Sequence, residues 1–303
     1  MKKLGFLLLE GLLFLVALLP FWVLYGLADV IYVLVHYVAR YRRRMVRANL
    51  SACFPDMSEK ERRAIERRFY RNFADYIVES IKLLHVSDKT MRRHISIEGT
   101  ENVSAILGEG RSVCCYFSHT FNWEWAPAIT LYMPAAVADG VLFAQIYRPL
   151  RNKEFDALML KVRSRFGSES ISKRTTRRRM IELKRAGILS VTGYMSDQKP
   201  SHGDPIHIVR FLGRRTAVIT GTETLARRMG QGVAFFDMHK ERRGHYRLVI
   251  RPMAADASAT EQYELTNHYF RLLEEAITRD PALWLWTHNR GKNTPPPQDN
   301  EQL

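Results

Sequence analysis

At 303 residues the chain can bury one sizeable core or two small ones, and one catalytic domain with an N-terminal appendage is expected. Lysine and arginine number 46 against 31 aspartates and glutamates, a net charge of +15, which narrows the partners to nucleic acid, an anionic bilayer surface or an acidic protein. The three cysteines, Cys53, Cys114 and Cys115, fit neither a disulfide framework nor a zinc spacing, so reduced thiols and a cytoplasm-facing domain are expected.

The N-terminus decides among those partners. Residues 4–19 are apolar apart from Glu10, Pro20 follows, and a second apolar run covers residues 21–38. No small-residue cleavage site follows, and the stretch exceeds the roughly 20 residues that one span needs, so it reads as a retained membrane anchor. Pro20 leaves two forms open: a span followed by an interfacial helix, or a shallow helical hairpin. The cluster Arg40, Arg42, Arg43, Arg44 and Arg47 behind it belongs on the cytoplasmic side, against anionic headgroups. A nucleic-acid arm is disfavoured, because the cluster adjoins an apolar segment and no binding motif accompanies it. The expected domains are an anchor at residues 1–45, a catalytic domain at 46–292 and a disordered tail at 293–303.

Ser58-Glu59-Lys60-Glu61 is a capping-box signature, and the helix behind it carries Ile65, Phe69, Phe73, Tyr76, Ile77 and Ile81 on one face, suited to cover the core or line a lipid cleft. Residues 95–99 read as a strand, 100–107 as a helix and 113–117 as a buried strand. After them come a strand at 141–146, a helix at 151–165, a basic helix at 174–185 ended by Gly187, and a buried strand at 188–195. This alternation predicts an α/β fold with a central mixed sheet flanked by helices. Residues 233–239 and 246–253 read as an antiparallel hairpin at one sheet edge, and 260–278 as a long helix.

The chemistry gathers at His119, just past the 113–117 strand, with Glu124 five residues on. On a regular helix these positions lie about 140° apart, so the pair works only if His119 sits on a strand-to-helix turn and Glu124 points back at it. A carboxylate on one imidazole nitrogen fixes the tautomer and frees the other to accept a proton from a hydroxyl. Phe121, Trp123 and Trp125 around them suit core packing.

Several separate stretches together resemble one family, the bacterial lipid A late acyltransferases within the lysophospholipid acyltransferase superfamily. They are His119 to Glu124, similar to the superfamily's HX4(D/E) motif; Arg47-Ala48-Asn49-Leu50 with Cys53-Phe54-Pro55; Tyr147-Arg148-Pro149; Ser196-Asp197-Gln198; and Trp284-Leu285-Trp286-Thr287-His288-Asn289-Arg290. The stretch after Gln198 and the residues inside the motif depart from the best-known members. The resemblance implies an acyl chain moved from an acyl carrier protein thioester to a hydroxyl of a lipid A precursor, at the cytoplasmic face of a bacterial inner membrane, with no cofactor and no metal. It implies His119 as general base oriented by Glu124. Arg148 is the candidate for the oxyanion, Asp197 for positioning the acceptor or a cation such as Arg148, and Arg290 for binding a sugar phosphate or the donor. The basic helix at 174–185 is a candidate dock for the acidic carrier. Alternatives are another lipid acceptor (a lysophospholipid, a mannosylated phosphoinositide or an aminolipid), a membrane lipid hydrolase, and a non-catalytic scaffold.

Overall fold

The computed structural model describes residues 2–201, 203–290 and 294. Apart from Thr294, the tail expected at 293–303 lies outside them. The chain opens with helix α1 (Lys2–Leu18), and Pro20, extended at φ −66°, starts α2 (Phe21–Val33), which runs on as one π-helical turn, Leu34–Val38. Phe21–Val38 is long and apolar enough to cross a membrane by length and composition. Helix α3 (Arg43–Cys53) leads to α4 (Glu59–Lys82), whose N-terminus carries the expected capping box. Glu61 Oε2 accepts from the Ser58 amide at 2.7 Å, and Ser58 Oγ accepts from the Glu61 amide at 3.3 Å.

Helix α4 buries Ile65 and Phe69 as expected, and also Glu66, Asn72, Asp75, Glu79 and Lys82. Several of these buried polar groups connect α4 to α2 and its π-helical turn, which pack antiparallel to it. Tyr25 donates to Glu79 at 3.1 Å, Arg243 bridges Asp29 and Asp75, and His36 Nε2 lies 3.0 Å from Glu66. Glu66 also takes Arg43 at 2.6 Å and Arg47 at 2.7 Å, while Arg42 donates to the Thr287 carbonyl. Three of the five arginines behind the apolar segment are thus engaged with the body, whereas exposed Arg40 and Arg44 have no ion-pair partner among the described residues.

After α5 (Asp88–His94) the chain alternates as read: β1 (Ile95–Glu98), α6 (Thr100–Gly108), β2 (Val113–Phe117), a 3-10 helix (Trp123–Leu131), α7 (Ala135–Ala138), β3 (Leu142–Tyr147), α8 (Lys153–Arg163), β4 (Glu169–Ser172), α9 (Thr176–Arg185) and β5 (Ser190–Met195). A two-stranded hairpin follows, β6 (Ile206–Phe211) and β7 (Arg214–Ile219), then α10 (Gly221–Met229), β8 (Gly232–Arg242), β9 (His245–Ala254) and α11 (Glu264–Arg279). The main sheet has the order β1-β9-β8-β2-β5-β3-β4, parallel throughout except between β8 and β9. It is the expected mixed sheet, with β2 at its centre and helices covering it.

Two expectations are corrected. The β8–β9 hairpin is not at an edge, because β1 pairs outside β9 and β8 pairs with β2. The strands β4, β6 and β7 escaped the sequence reading. β4 is four residues long with one fully buried, and β6–β7 turns through Leu212 and Gly213, both at positive φ, a two-residue hairpin signal that Gly213 advertises.

Candidate active site

The site is set by strand register. β2 and β5 are parallel neighbours with Phe117 opposite Met195, so two residues beyond each strand His119 and Asp197 face one another. Side chains at the carboxyl ends of parallel strands gather in the crevice outside the sheet, and these two do. His119 Nδ1 lies 2.6 Å from Asp197 Oδ1, and the His119 amide donates to Oδ2 at 3.2 Å. The Trp284 indole donates to Oδ2 at 2.9 Å, and Arg290 Nη2 does so at 3.2 Å. Burial alone would push the Asp197 carboxyl up, but the charges and hydrogen bonds of His119 and Arg290 hold it well below the usual carboxylate range. The side chain is therefore an anion with no solvent exposure, and it keeps the proton of the neutral imidazole on Nδ1. Nε2 is left with its lone pair, which in this structure accepts from the Gln198 amide at 2.9 Å.

Glu124 does not take the expected place. Its carboxylate receives a fork from Arg163, Nε at 2.9 Å and Nη2 at 2.7 Å, and the Trp123 indole at 3.2 Å. The reason lies in the local backbone: Glu124 enters a 3-10 helix whose N-cap is Asn122, and the Trp123 ring packs against His119, with centroids 5.1 Å apart. Asn122 in turn donates to Glu79 at 3.0 Å, and Glu79 also accepts from Tyr246 at 3.0 Å. Burial drives the Glu79 carboxyl up to about 7, against the pull of Lys240. Asp197 also departs from expectation, since its cation is Arg290 and not Arg148. Arg290 is buried, with its guanidinium on the Asp197 and Leu285 carbonyls and 3.5 Å above the Trp284 ring, so it braces Asp197 and is not free to bind substrate.

His119 opens on a cavity of about 780 Å³ that reaches across the ends of β2, β3 and β5. Phe117, Pro127, Ile146, Met195, Ile219 and Leu225 give it apolar walls, Arg163 and Glu124 stand in its side, and Arg148, Arg177, Lys199 and Arg228 bring positive charge to it. Arg148 is exposed and without an ion-pair partner among the described residues. His288 also lines the cavity. Burial, then Arg290, lowers its pKa to about 4, so the ring is neutral, and its Nδ1 has no partner among the described residues. No group of three or more His, Cys, Asp or Glu side chains among the described residues could hold a metal ion. Sequence reasoning missed Arg163, Gln198 and Glu79. Arg163 carried no spacing signal, Gln198 stood in the quoted Ser196-Asp197-Gln198 stretch without being given a role, and a glutamate on the apolar stripe of α4 was itself a hint.

Residues 2–293 match the family of bacterial lipid A biosynthesis acyltransferases. The chain belongs to that family. It is 24% identical over 286 residues, 94% of this chain and 90% of the relative, to a lipid A biosynthesis lauroyltransferase of Escherichia coli (strain K12). It shares the same identity and coverage with a palmitoleoyltransferase of that strain. A lipid A biosynthesis acyltransferase of Haemophilus influenzae is 22% identical over 261 residues, 85% of this chain and 80% of that one. The protein is accordingly an acyltransferase of lipid A biosynthesis, with a lipid as acceptor. The 119–124 segment lies within the matched residues and stands at the end of the central strand, beside the cavity.

Proposed function

We propose that the protein moves a fatty acyl chain from an acyl carrier protein thioester to a hydroxyl of a lipid A precursor, with His119 as general base. The observation that carries this reading is an imidazole whose Nδ1 is held by a buried carboxylate at 2.6 Å and whose Nε2 edges a large, apolar and cationic cavity. Asp197 fixes the tautomer and stabilises the imidazolium that forms, the role a carboxylate plays behind a catalytic histidine. The acceptor hydroxyl displaces the Gln198 amide from Nε2, gives its proton there and attacks the thioester carbonyl. The tetrahedral intermediate then expels the thiolate, which takes the proton back from Nε2 and restores the neutral imidazole, and no acyl-enzyme is needed.

Glu124 acts by seating Arg163. Its bidentate grip holds a guanidinium in the cavity wall, where a fixed cation favours a developing oxyanion. Arg148, exposed on the rim of the cavity, suits the acceptor headgroup better than the oxyanion. The acyl chain runs along the apolar wall near Phe117 and Pro127. The acidic carrier docks on the exposed start of α9, where Arg174 and Arg177 have no ion-pair partner among the described residues. The body works at the membrane, on the cytoplasmic face of the inner membrane, a reading that the apolar outer faces of α1 and α2 support as far as the membrane is concerned.

The test is an assay of detergent-solubilised protein with an acyl carrier protein thioester and a tetra-acylated lipid A precursor, read by mass spectrometry. One added acyl chain that vanishes in His119→Ala establishes the reaction. Acylation of a lysophospholipid in its place moves the acceptor, release of free fatty acid alone makes the protein a hydrolase, and transfer that survives His119→Ala ends the general-base reading.

A further inference from the structure

The outer faces of α1 and α2 are apolar: Leu8 is 68% exposed, Leu12 57%, Trp22 78% and Val30 57%. The opposite face of the same helices is pinned to the body from end to end by charged and polar side chains. Glu10 on α1 pairs with Lys161 on α8 at 3.2 Å. At the Pro20 break the buried Lys82 ammonium donates to the carbonyls of Ala17 and Leu19, each at 2.8 Å. Farther along, Asp29 pairs with Arg243 at 2.8 Å, the Arg71 guanidinium lies 5.2 Å over the Tyr32 ring, and His36 meets Glu66.

These contacts bear on how the segment meets a bilayer. Phe21–Val38 is about 27 Å long, close to the thickness of the hydrocarbon core, so a span would put its midpoint at the centre of the membrane. Near that midpoint stand Asp29, 61% exposed, and its partner Arg243, 38% exposed, with the arginine-bearing face of α4 alongside. Charges at that depth are among the most costly groups a bilayer can hold. Spanning would therefore require α2 to leave α4 and abandon the whole series of contacts.

We propose that the N-terminal segment does not cross the bilayer: α1 and α2 lie in the plane of one leaflet, outer faces in hydrocarbon, and an adjoining cationic cleft takes a headgroup phosphate of that leaflet. The cleft, about 740 Å³ in volume, opens between α2, α4 and the tip of the β8–β9 hairpin, and Val33, exposed on the outer face of α2, also lines it. Its carboxylates Asp29, Asp75 and Asp280 are matched by Arg243, Lys240 and Arg68. That leaves Arg71 and Arg242, neither with a carboxylate partner among the described residues. Two guanidiniums without a carboxylate partner, beside an apolar helix face, fit one anionic phospholipid phosphate. The inference rests on the reading of the segment as lipid-facing, and not on the acyl-transfer reading.

The experiment uses the full chain reconstituted in phosphatidylglycerol-containing vesicles. Single cysteines replacing Leu8, Leu12, Trp22, Val30 or Val33 carry a fluorophore quenched by lipids brominated at different depths, and the unsubstituted protein is the labelling blank. All five sites at one shallow depth, about 5–10 Å below the headgroup boundary, is the expected result. A depth that runs through the bilayer centre along α2, or a Lys3→Cys thiol reached by an impermeant reagent only from the face opposite the catalytic domain, overturns it. No quenching at any site, with the protein released by an alkaline wash, sinks the lipid-facing premise instead. For the cleft, Arg71→Gln with Arg242→Gln should cut retention of phosphatidylglycerol during delipidation about tenfold, with folding checked by circular dichroism. Unchanged retention removes the headgroup site.

Discussion

Asp197 and Glu124 are both carboxylates singled out in the sequence, and their roles part at the level of contact. Spacing along the chain made Glu124 the partner of His119, because five residues is a local distance. The contact to Asp197 spans 78 residues and is created by the parallel pairing of β2 with β5, which single-strand patterns do not encode. A trace of it was legible, since both strands are followed by a serine and then a polar residue, Ser118-His119 and Ser196-Asp197. The two assignments are separated by kinetics. Asp197→Asn keeps the size but loses the anion that fixes the tautomer, and kcat should fall about 10³–10⁴-fold. Glu124→Gln loosens Arg163 and should cost kcat about 10²-fold while leaving the pH dependence of the base in place. A near-normal Asp197→Asn beside a dead Glu124→Gln would restore Glu124 as the partner. Glu79 makes a separate prediction. Burial raises it from 4.5 to about 7, so the folded protein holds a proton that the unfolded chain releases between those values. Stability therefore declines as pH rises from about 4.5 to 7 and levels off above. Glu79→Gln should flatten that decline, worth on the order of 1–3 kcal/mol in urea titrations at pH 5 and pH 8. An equal slope in both proteins would count against it.

Among the elements, those with strong local signals were legible and those defined by pairing were not. The Ser58 capping box placed the start of α4 correctly, and Ser58→Ala should destabilise the fold by about 1 kcal/mol, seen as a lower urea midpoint at unchanged slope. The strands β1, β2, β3 and β5 were read from short apolar runs ended by turn residues. β4 was too short to stand out, and the site of the β8–β9 hairpin within the sheet depends on β1 returning beside β9 across some 150 residues, Ile95 opposite Tyr246. The basic start of α9 was read as a docking face, and within the helix only part of that charge is free. Arg178 and Arg179 are engaged with Glu182 and Glu169, which leaves Arg174 and Arg177. Arg174→Glu with Arg177→Glu should raise KM for the carrier thioester about tenfold, mostly at low salt, with kcat little changed. A change in kcat alone would place these residues in the chemistry and not in docking.

On the scale of the whole molecule, the excess of positive charge divides into a structural part and a free part. Arg42, Arg43 and Arg47 secure the N-terminal helices to the body, so the cluster that the sequence assigned to headgroups mostly serves the fold, through Glu66 and Thr287. Removal of residues 2–38 should therefore do more than release the protein from membranes. It strips Tyr25 from Glu79 and His36 from Glu66, and the truncated protein should melt at a lower temperature even in detergent.

The residues that complete the site come from far apart in chain order. Phe121 and Leu285 bond the 119–121 segment to the 283–285 segment, and Asp197 receives Trp284 and Arg290 from 87 and 93 positions away. Synthesis delivers the N-terminal helices first and these braces last. A ribosome that has extended the chain only through Gln198 has made His119 and Asp197, but not Trp284 and Arg290, which complete the hold on the carboxylate. The emerging polypeptide thus carries its apolar N-terminal helices well before the site around His119 is complete.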